Sequence, residues 1–366
     1  MENGYLTRTL SGAEIIAGKN VLSVIPSKIT DASKEGAILV AYDKNLKEYA
    51  LGVAESLRTL KRRIFLCVLD KDKEQEADLP DYIRYVVAVG SGYAAQKADA
   101  ISRAQSVPWS MVLTAPTTDT ILQGKSPKHV FIDESMMINC PKRHIAAGFG
   151  IVYSSKIAAF ESTFERRVLA SNKDEILPIE MQNDMTPLSL AITLLEMSQR
   201  RRYVDGASIV ASILMSRARE QKRHVLLFGE YKFLASCYLI QLYSHLLSSP
   251  SIDVALPPVM VETRDKLLQF NCNNLVNMPK NIDFFDINSY FRISYILQEY
   301  RTDLLEKLGS LNAQKCERVW RRIYDDAGFF LKNTITVKDL KEAVFLAGSV
   351  SDNLLGYAFA SGILGR

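Results

Sequence analysis

The sequence is poor in histidine: 366 residues contain only His129, His144, His224 and His245. That supply limits any mechanism built on clustered imidazoles. Cysteine is also sparse. Cys67, Cys140, Cys237, Cys272 and Cys316 lie far apart, are odd in number and form no CxxC pair. Neither a structural zinc site nor a disulfide framework is indicated, and five mostly buried thiols in a reducing compartment are expected. No run of about 18 apolar residues occurs, so no membrane-spanning helix is expected. Met1-Glu2-Asn3-Gly4 is polar, unlike the basic-then-apolar start of a signal peptide. A cytoplasmic protein is the expectation.

Charge of one sign is not in marked excess. Lys and Arg number 45 against 41 Asp and Glu, a formal charge of +4, too small to point to nucleic acid. The basic clusters Lys61-Arg62-Arg63, Arg200-Arg201-Arg202 and Lys222-Arg223-His224 read as solvated surface at element ends, or as neighbours of a phosphate-bearing ligand. No pattern of an RNA-recognition or zinc-finger module supports a polymeric partner.

What is present is a globular chain long enough for two domains. Hydrophobic residues make up 48% and charged residues 23%, a balance that separates it from disordered chains. Short continuous apolar runs at 37–42, 63–69, 85–89, 109–113 and 129–132 alternate with helical patterns at 49–60 and 94–104. Strands apolar throughout and separated by helices indicate a parallel sheet covered on both faces, a Rossmann-like α/β half. Beyond about residue 150 strand signals nearly vanish. Helical periodicity runs over 145–160, 188–199, 207–220, 231–247, 258–270, 291–308 and 338–347, with a polar connection at 172–187. The expected organisation is a nucleotide-binding domain over 1–150 and an all-helical domain over 151–366.

The sharpest local signal is Val86-Val87-Ala88-Val89-Gly90-Ser91-Gly92-Tyr93, a strand running into a helix. Two glycines around a serine permit a tight turn and close backbone approach. The amides opening the following helix favour an anion such as a pyrophosphate, although an ordinary loop has the same pattern. Asp43 ends an earlier strand. It suits the diol of a ribose, and equally suits a helix N-cap. Thr114-Ala115-Pro116-Thr117-Thr118-Asp119 follows the fourth strand. It belongs at the carboxyl edge where open α/β folds bind ligands, or forms a plain Thr-rich turn.

Taken in order, Gly90-Ser91-Gly92, Leu113 to Asp119, Pro127-Lys128-His129-Val130-Phe131-Ile132-Asp133, Pro141 and Ala146-Ala147-Gly148-Phe149-Gly150 resemble one superfamily. It contains glycerol dehydrogenase, sn-glycerol-1-phosphate dehydrogenase, iron-containing alcohol dehydrogenases and dehydroquinate synthase. The glycerol-1-phosphate dehydrogenases are the most similar branch. The resemblance implies a dehydroquinate synthase-like fold, a Rossmann-like domain followed by a helical one. It further implies NAD or NADP in the cleft between the domains. Gly90, Ser91 and Gly92 would face the pyrophosphate, Asp43 the adenosine ribose, and Thr114, Thr117 and Thr118 the nicotinamide side. Asp119 would contact a hydroxyl of a small polyol or phosphate-bearing ligand. A homo-oligomer is implied by the same resemblance.

The chain departs from the family pattern at two places. Where the glycine-rich loop of the family continues with Ser/Thr, Asp and Lys, this chain has Tyr93, Gln96 and Asp99. The family binds zinc or iron through an Asp in a Gly-Asp pair and two histidines on later helices. Here the pair is Gly150-Ile151, the first histidine falls by spacing near Cys237-Tyr238, and Pro250 to Pro258 contains none. Only His245 lies beyond His224, and one imidazole cannot hold a catalytic zinc. No metal is expected, and the metal-dependent hydride transfer of the family is expected to be lost or altered. Tyr238 and Lys156 are then the candidates for taking the alcohol proton. The alternative is a non-catalytic member acting as a binding or regulatory subunit.

Overall fold

The structure, a computed structural model, describes residues 4–29, 36–69, 79–122, 124–172, 176–181, 184–199, 204–249, 260–278, 284, 286–311 and 335–365. The chain divides into two compact units, Met1–Gly148 with Asp184–Arg202, and Phe149–Asn183 with Tyr203–Arg366.

The first unit is built on a seven-stranded sheet. Its strands are β1 (Tyr5–Leu10), β2 (Ala13–Gly18), β3 (Ala37–Asp43), β4 (Ile64–Leu69), β5 (Ile83–Gly90), β6 (Trp109–Leu113) and β7 (His129–Asp133). The order is β1-β2-β7-β6-β5-β3-β4. Only β1 is antiparallel to its neighbour, and every other pairing is parallel. The five runs expected as strands are β3 to β7. The hairpin β1–β2 lies outside those five runs.

Buried side chains alternate between the two faces, as strand geometry requires. Leu39, Ala41, Val86, Ala88, Met111 and Val130 share one core with Ala94, Ala98 and Ile101 of α3 (Gly92–Ala104). Val40, Tyr42, Val87, Val89 and Phe131 share the other with Val53 and Leu57 of α2 (Lys47–Leu57) and with Ile25 and Ile29 of α1 (Ile25–Ile29). The short α4 (Glu134–Ile138) follows β7. Its N-cap Asp133 accepts from the Ser135 amide at 3.0 Å and, through its other oxygen, from the Val21 amide at 2.8 Å.

The long α5 (Lys142–Val168) carries the chain out of the first unit, and α6 (Pro187–Gln199) returns it. The helical pattern at 188–199 is expected to belong to the second domain. Instead, the apolar face of α6, with Ala191 and Leu195, is buried in the core that also holds β2, β5, β6 and β7. A helix pattern shows that a face must be covered, not which element covers it.

The second unit contains only helices among its described residues: the later turns of α5, then α7 (Gly206–Glu220), α8 (Phe228–Ser248), α9 (Met260–Gln269), α10 (Asn273–Val276), α11 (Ile287–Ser310), α12 (Val337–Val350) and α13 (Leu354–Ala360). Several begin on a side-chain cap: Asp205 for α7, Asp286 for α11, a Thr336–Asp339 capping box for α12 and Asn353 for α13. α5 and α8 run side by side. Gly150 lies against Gly229, the Tyr153 and Phe233 rings are 5.4 Å apart, and those of Phe160 and Tyr243 are 5.9 Å apart. No single helix among the described residues is long and apolar enough to cross a membrane. The fold class is therefore the expected one: an α/β unit on a mainly parallel sheet, and a helical unit.

Candidate functional site

Adjacent parallel strands bring residues far apart in sequence to one level. Tyr42 of β3 pairs with Val89 of β5, so Asp43 and Gly90 end their strands side by side. A Cβ at Gly90 would stand 2.8 Å from Asp43 Oδ2 and 2.6 Å from Ala94 Cβ. Only a bare backbone fits there. Asp43 sits at the N-cap position of the 3₁₀ turn Lys44–Leu46, yet its side chain makes no capping hydrogen bond. The N-cap alternative for Asp43 is therefore not realised, and its carboxylate lies against the glycine loop.

The glycine loop opens α3 at the carboxyl end of β5. Ser91 occupies the N-cap position without capping, and the first turn of α3 has no acidic residue. Its hydroxyl instead bonds to Thr117 Oγ1 and lies 3.3 Å from the Ala115 carbonyl. The Thr-rich segment after β6 thus folds onto the loop. The Thr114 amide donates to the Gly90 carbonyl at 2.8 Å, and a Cβ at Gly92 would meet Thr118 Cβ at 3.0 Å. Thr118 Oγ1 lies 2.9 Å from Thr120 Oγ1. Thr114 is buried, while Thr117, Thr118 and Asp119 are partly exposed. Asp43, Gly90, Ser91, Gly92, Thr114, Thr117 and Thr118 accordingly form one locality. The helix N-terminus in it has the polarity that suits a phosphate.

Tyr93 and Asp99 are both engaged away from the loop. The Tyr93 side chain packs in part against the core cluster containing Ala94 and Ala98. Asp99, at the lysine position of the family loop, is bonded elsewhere. It accepts from Arg103 Nε at 3.1 Å and from the Lys125 amide at 3.0 Å, which anchors the turn around Gly124.

The remaining candidates belong to the helical unit. Ile151 on α5 is 1% exposed and offers only hydrocarbon. Tyr238 on α8 is half-buried, and burial raises its phenol pKa above the ordinary value. A tyrosine base works with a depressed pKa, the opposite direction. The residues of α8 packed at Gly150 are Gly229 and Phe233, one helical turn and more before Tyr238. Lys156 Nζ stands 5.7 Å from the Tyr153 ring centroid, a cation–π contact. His245 is exposed in the last turn of α8, where its charged form would suit the helix dipole. Ile151 therefore offers no donor atom to a zinc or iron ion. Pro250 to Pro258, the third family position, lies outside the described residues. Among those described, no three His, Cys, Asp or Glu side chains are grouped to hold a metal.

No family model matches the sequence, and no curated protein matches it. Solved structures of similar shape do exist. NADH-dependent butanol dehydrogenase A from Thermotoga maritima is 12% identical, with a TM-score of 0.49 over 94% of this chain and 99% of that one. Glycerol dehydrogenase from Schizosaccharomyces pombe is 12% identical, with a TM-score of 0.47 over 84% and 90%. Sulfoacetaldehyde reductase from Bifidobacterium kashiwanohense, solved with NAD+, is 13% identical, with a TM-score of 0.47 over 93% and 92%. Likeness at this level carries no chemistry across, so the reading of the site rests on the residues described above.

Proposed function

We propose that this chain is a member of the glycerol and glycerol-1-phosphate dehydrogenase superfamily that binds a nicotinamide dinucleotide at the carboxyl edge of its sheet. In this reading the metal-dependent hydride transfer of the superfamily is lost or altered. The supporting observation is the meeting of Asp43, Gly90 and the Ser91–Thr117 pair at the start of α3. Gly90 and Gly92 keep the backbone bare for a pyrophosphate, and the α3 amides supply donors. Asp43 accepts from the ribose hydroxyls. A 2′-phosphate would bring like charge against that carboxylate, so NAD is favoured over NADP. When bound, the dinucleotide would supply a hydride acceptor, and Asp119 would hold a hydroxyl of a small polyol or its phosphate.

Loss of the metal chemistry is supported by Ile151 and Tyr238. One has no lone pair, and burial raises the phenol pKa of the other above its ordinary value. These two residues also favour the second reading, a binding or regulatory subunit without turnover. Calorimetric titration with NAD, NADP and glycerol phosphate, together with elemental analysis, tests both readings. Binding of NAD at least tenfold tighter than NADP, with no stoichiometric zinc or iron, is expected. Folded protein that gives no heat with any ligand overturns the dinucleotide site, and one tightly held metal per chain overturns the metal assignment. Turnover of a polyol with NAD by the metal-free protein would select altered chemistry over the regulatory subunit.

A further inference from the structure

The sheet of the first unit ends on β1 at one side and on β4 at the other. The two edges differ in chemistry. β1 presents Thr7, Arg8 and Thr9, and Arg8 is ion-paired with Glu196 of α6. Polar and charged side chains of this kind discourage a further strand from adding to an edge. β4 reads Ile-Phe-Leu-Cys-Val-Leu, with no charge and no proline. β3 pairs with one side of it, and no described strand pairs with the other. Alternate N–H and C=O groups therefore point outward along that side. The side chains of β4 are apolar on both faces. Phe65 and Cys67 pack in part against the core that holds α3, and Ile64 against the core that holds α2. Leu66 and Val68 follow Ile64 on the α2 face by strand alternation, and are 44% and 41% exposed. Leu51 of α2 is 45% exposed beside them. Between α2 and β4 runs a groove of about 420 Å³, lined by Leu51, Ala54, Ile64 and Leu66 with Arg58 and Arg62. A Cβ on Gly52, in the same groove, would meet nothing within 4 Å.

We propose that β4 pairs antiparallel with β4 of a second copy of this chain, joining the two sheets across a two-fold axis. The outward amides and carbonyls of each strand then bond to the other. Cross-strand neighbours share a face, so Leu66 and Val68 of one copy meet Leu66 and Val68 of the other, and the groove beside Leu51 takes up part of that aliphatic seam. Charge favours both the partner and the direction. Lys61, Arg62 and Arg63 precede β4 in the sequence, and Asp70 and Asp72 follow it. Antiparallel pairing carries the basic end of each strand to the end of the other from which the acidic residues continue. Parallel pairing would set like charges together. The strand is in this way complementary to itself, the condition for a closed two-fold contact. The dimer contact does not rest on the dinucleotide reading.

Sedimentation velocity of the full chain over about 1–100 µM tests the contact. Wild type is expected to sediment as a dimer in the upper part of that range. The double variant Leu66→Lys, Val68→Lys places ammonium groups on the seam and is expected to weaken dimerisation at least tenfold. Both side chains are exposed, so the variant is expected to fold. Leu6→Lys on β1, where Leu6 is 50% exposed, is the control and should leave the dimer as it is. A wild type that is monomeric throughout, a dimer that survives the double variant, or a dimer lost equally in Leu6→Lys overturns the proposal. Hydrogen exchange resolved by residue gives a readout on the wild type alone. Pairing on both sides of β4 should slow exchange at consecutive amides across 65–68. Protection at every second amide only, the pattern of an open edge, overturns the proposal as well.

Discussion

Asp43 Oδ2 fills the space that a side chain on Gly90 would need. The two residues are 47 positions apart, and the β3–β5 register alone brings them together. Gly90→Ala is expected to push the Asp43 carboxylate and Ala94 out of place. Affinity for NAD should fall at least tenfold and stability by about 1–3 kcal/mol. Titration calorimetry and denaturant unfolding check the two effects separately. Unchanged affinity in the folded variant would detach the glycine loop from the ligand.

Asp99 stands where the superfamily pattern has lysine, but its carboxylate secures Arg103 and the Lys125 amide. Placing a lysine there with Asp99→Lys is expected to lower stability by about 1–2 kcal/mol, from one lost backbone hydrogen bond and one surface ion pair. NAD affinity should gain less than tenfold. A large gain in affinity would show the position still open to a phosphate.

Gly150 permits the first turn of α8 to lie on α5. Alanine would favour the helix intrinsically by about 1 kcal/mol. Its Cβ would nevertheless stand 2.1 Å from the Gly229 carbonyl oxygen, a backbone atom that cannot rotate away. The collision decides the sign. Gly150→Ala is expected to cost about 2–3 kcal/mol in urea unfolding, and a stabilised variant would disprove the close crossing.

His129 supplies a pH dependence within the first unit. Its Nδ1 lies 3.1 Å from Ser110 Oγ and its Nε2 lies 3.6 Å from Glu14 Oε2. Burial, with help from Lys28 and Lys128, lowers its pKa from 6.5 against the opposing pull of Glu14. Unfolding therefore takes up a proton. Stability from the neutral ring is fully present above pH 6.5 and is lost as pH falls below it. The stability gap between wild type and His129→Gln should narrow as the solution is acidified from pH 7 to pH 5. A constant gap would show that the ring does not titrate in this range.

The five parallel strands were legible because strands covered on both faces read as unbroken apolar runs. β1 has no such signature, since most of Tyr5–Leu10 faces solvent. Its trace in the sequence is the Ser11-Gly12 turn, where both residues adopt positive φ. The short α13 carries no helical signature in the sequence, because Leu354 to Ala360 are all buried and give no periodicity. At the site, the motifs were visible but their alternatives were not separable. Whether Asp43 caps a turn or faces Gly90 depends on strand order, which a local pattern does not encode. The direction of the Tyr238 shift depends on what surrounds the phenol on α8, which spacing along the chain cannot supply.

The return of α6 to the sheet has a practical consequence for dissecting the protein. The unit holding the glycine loop is written in two pieces of sequence separated by 35 residues, 149–183. No single cut releases it. A fragment ending at residue 150 would expose the core faces that Ala191 and Leu195 cover, and would lose the Arg8–Glu196 ion pair between β1 and α6. A minimal version of the first unit must instead splice 184–202 after residue 148 through an artificial linker.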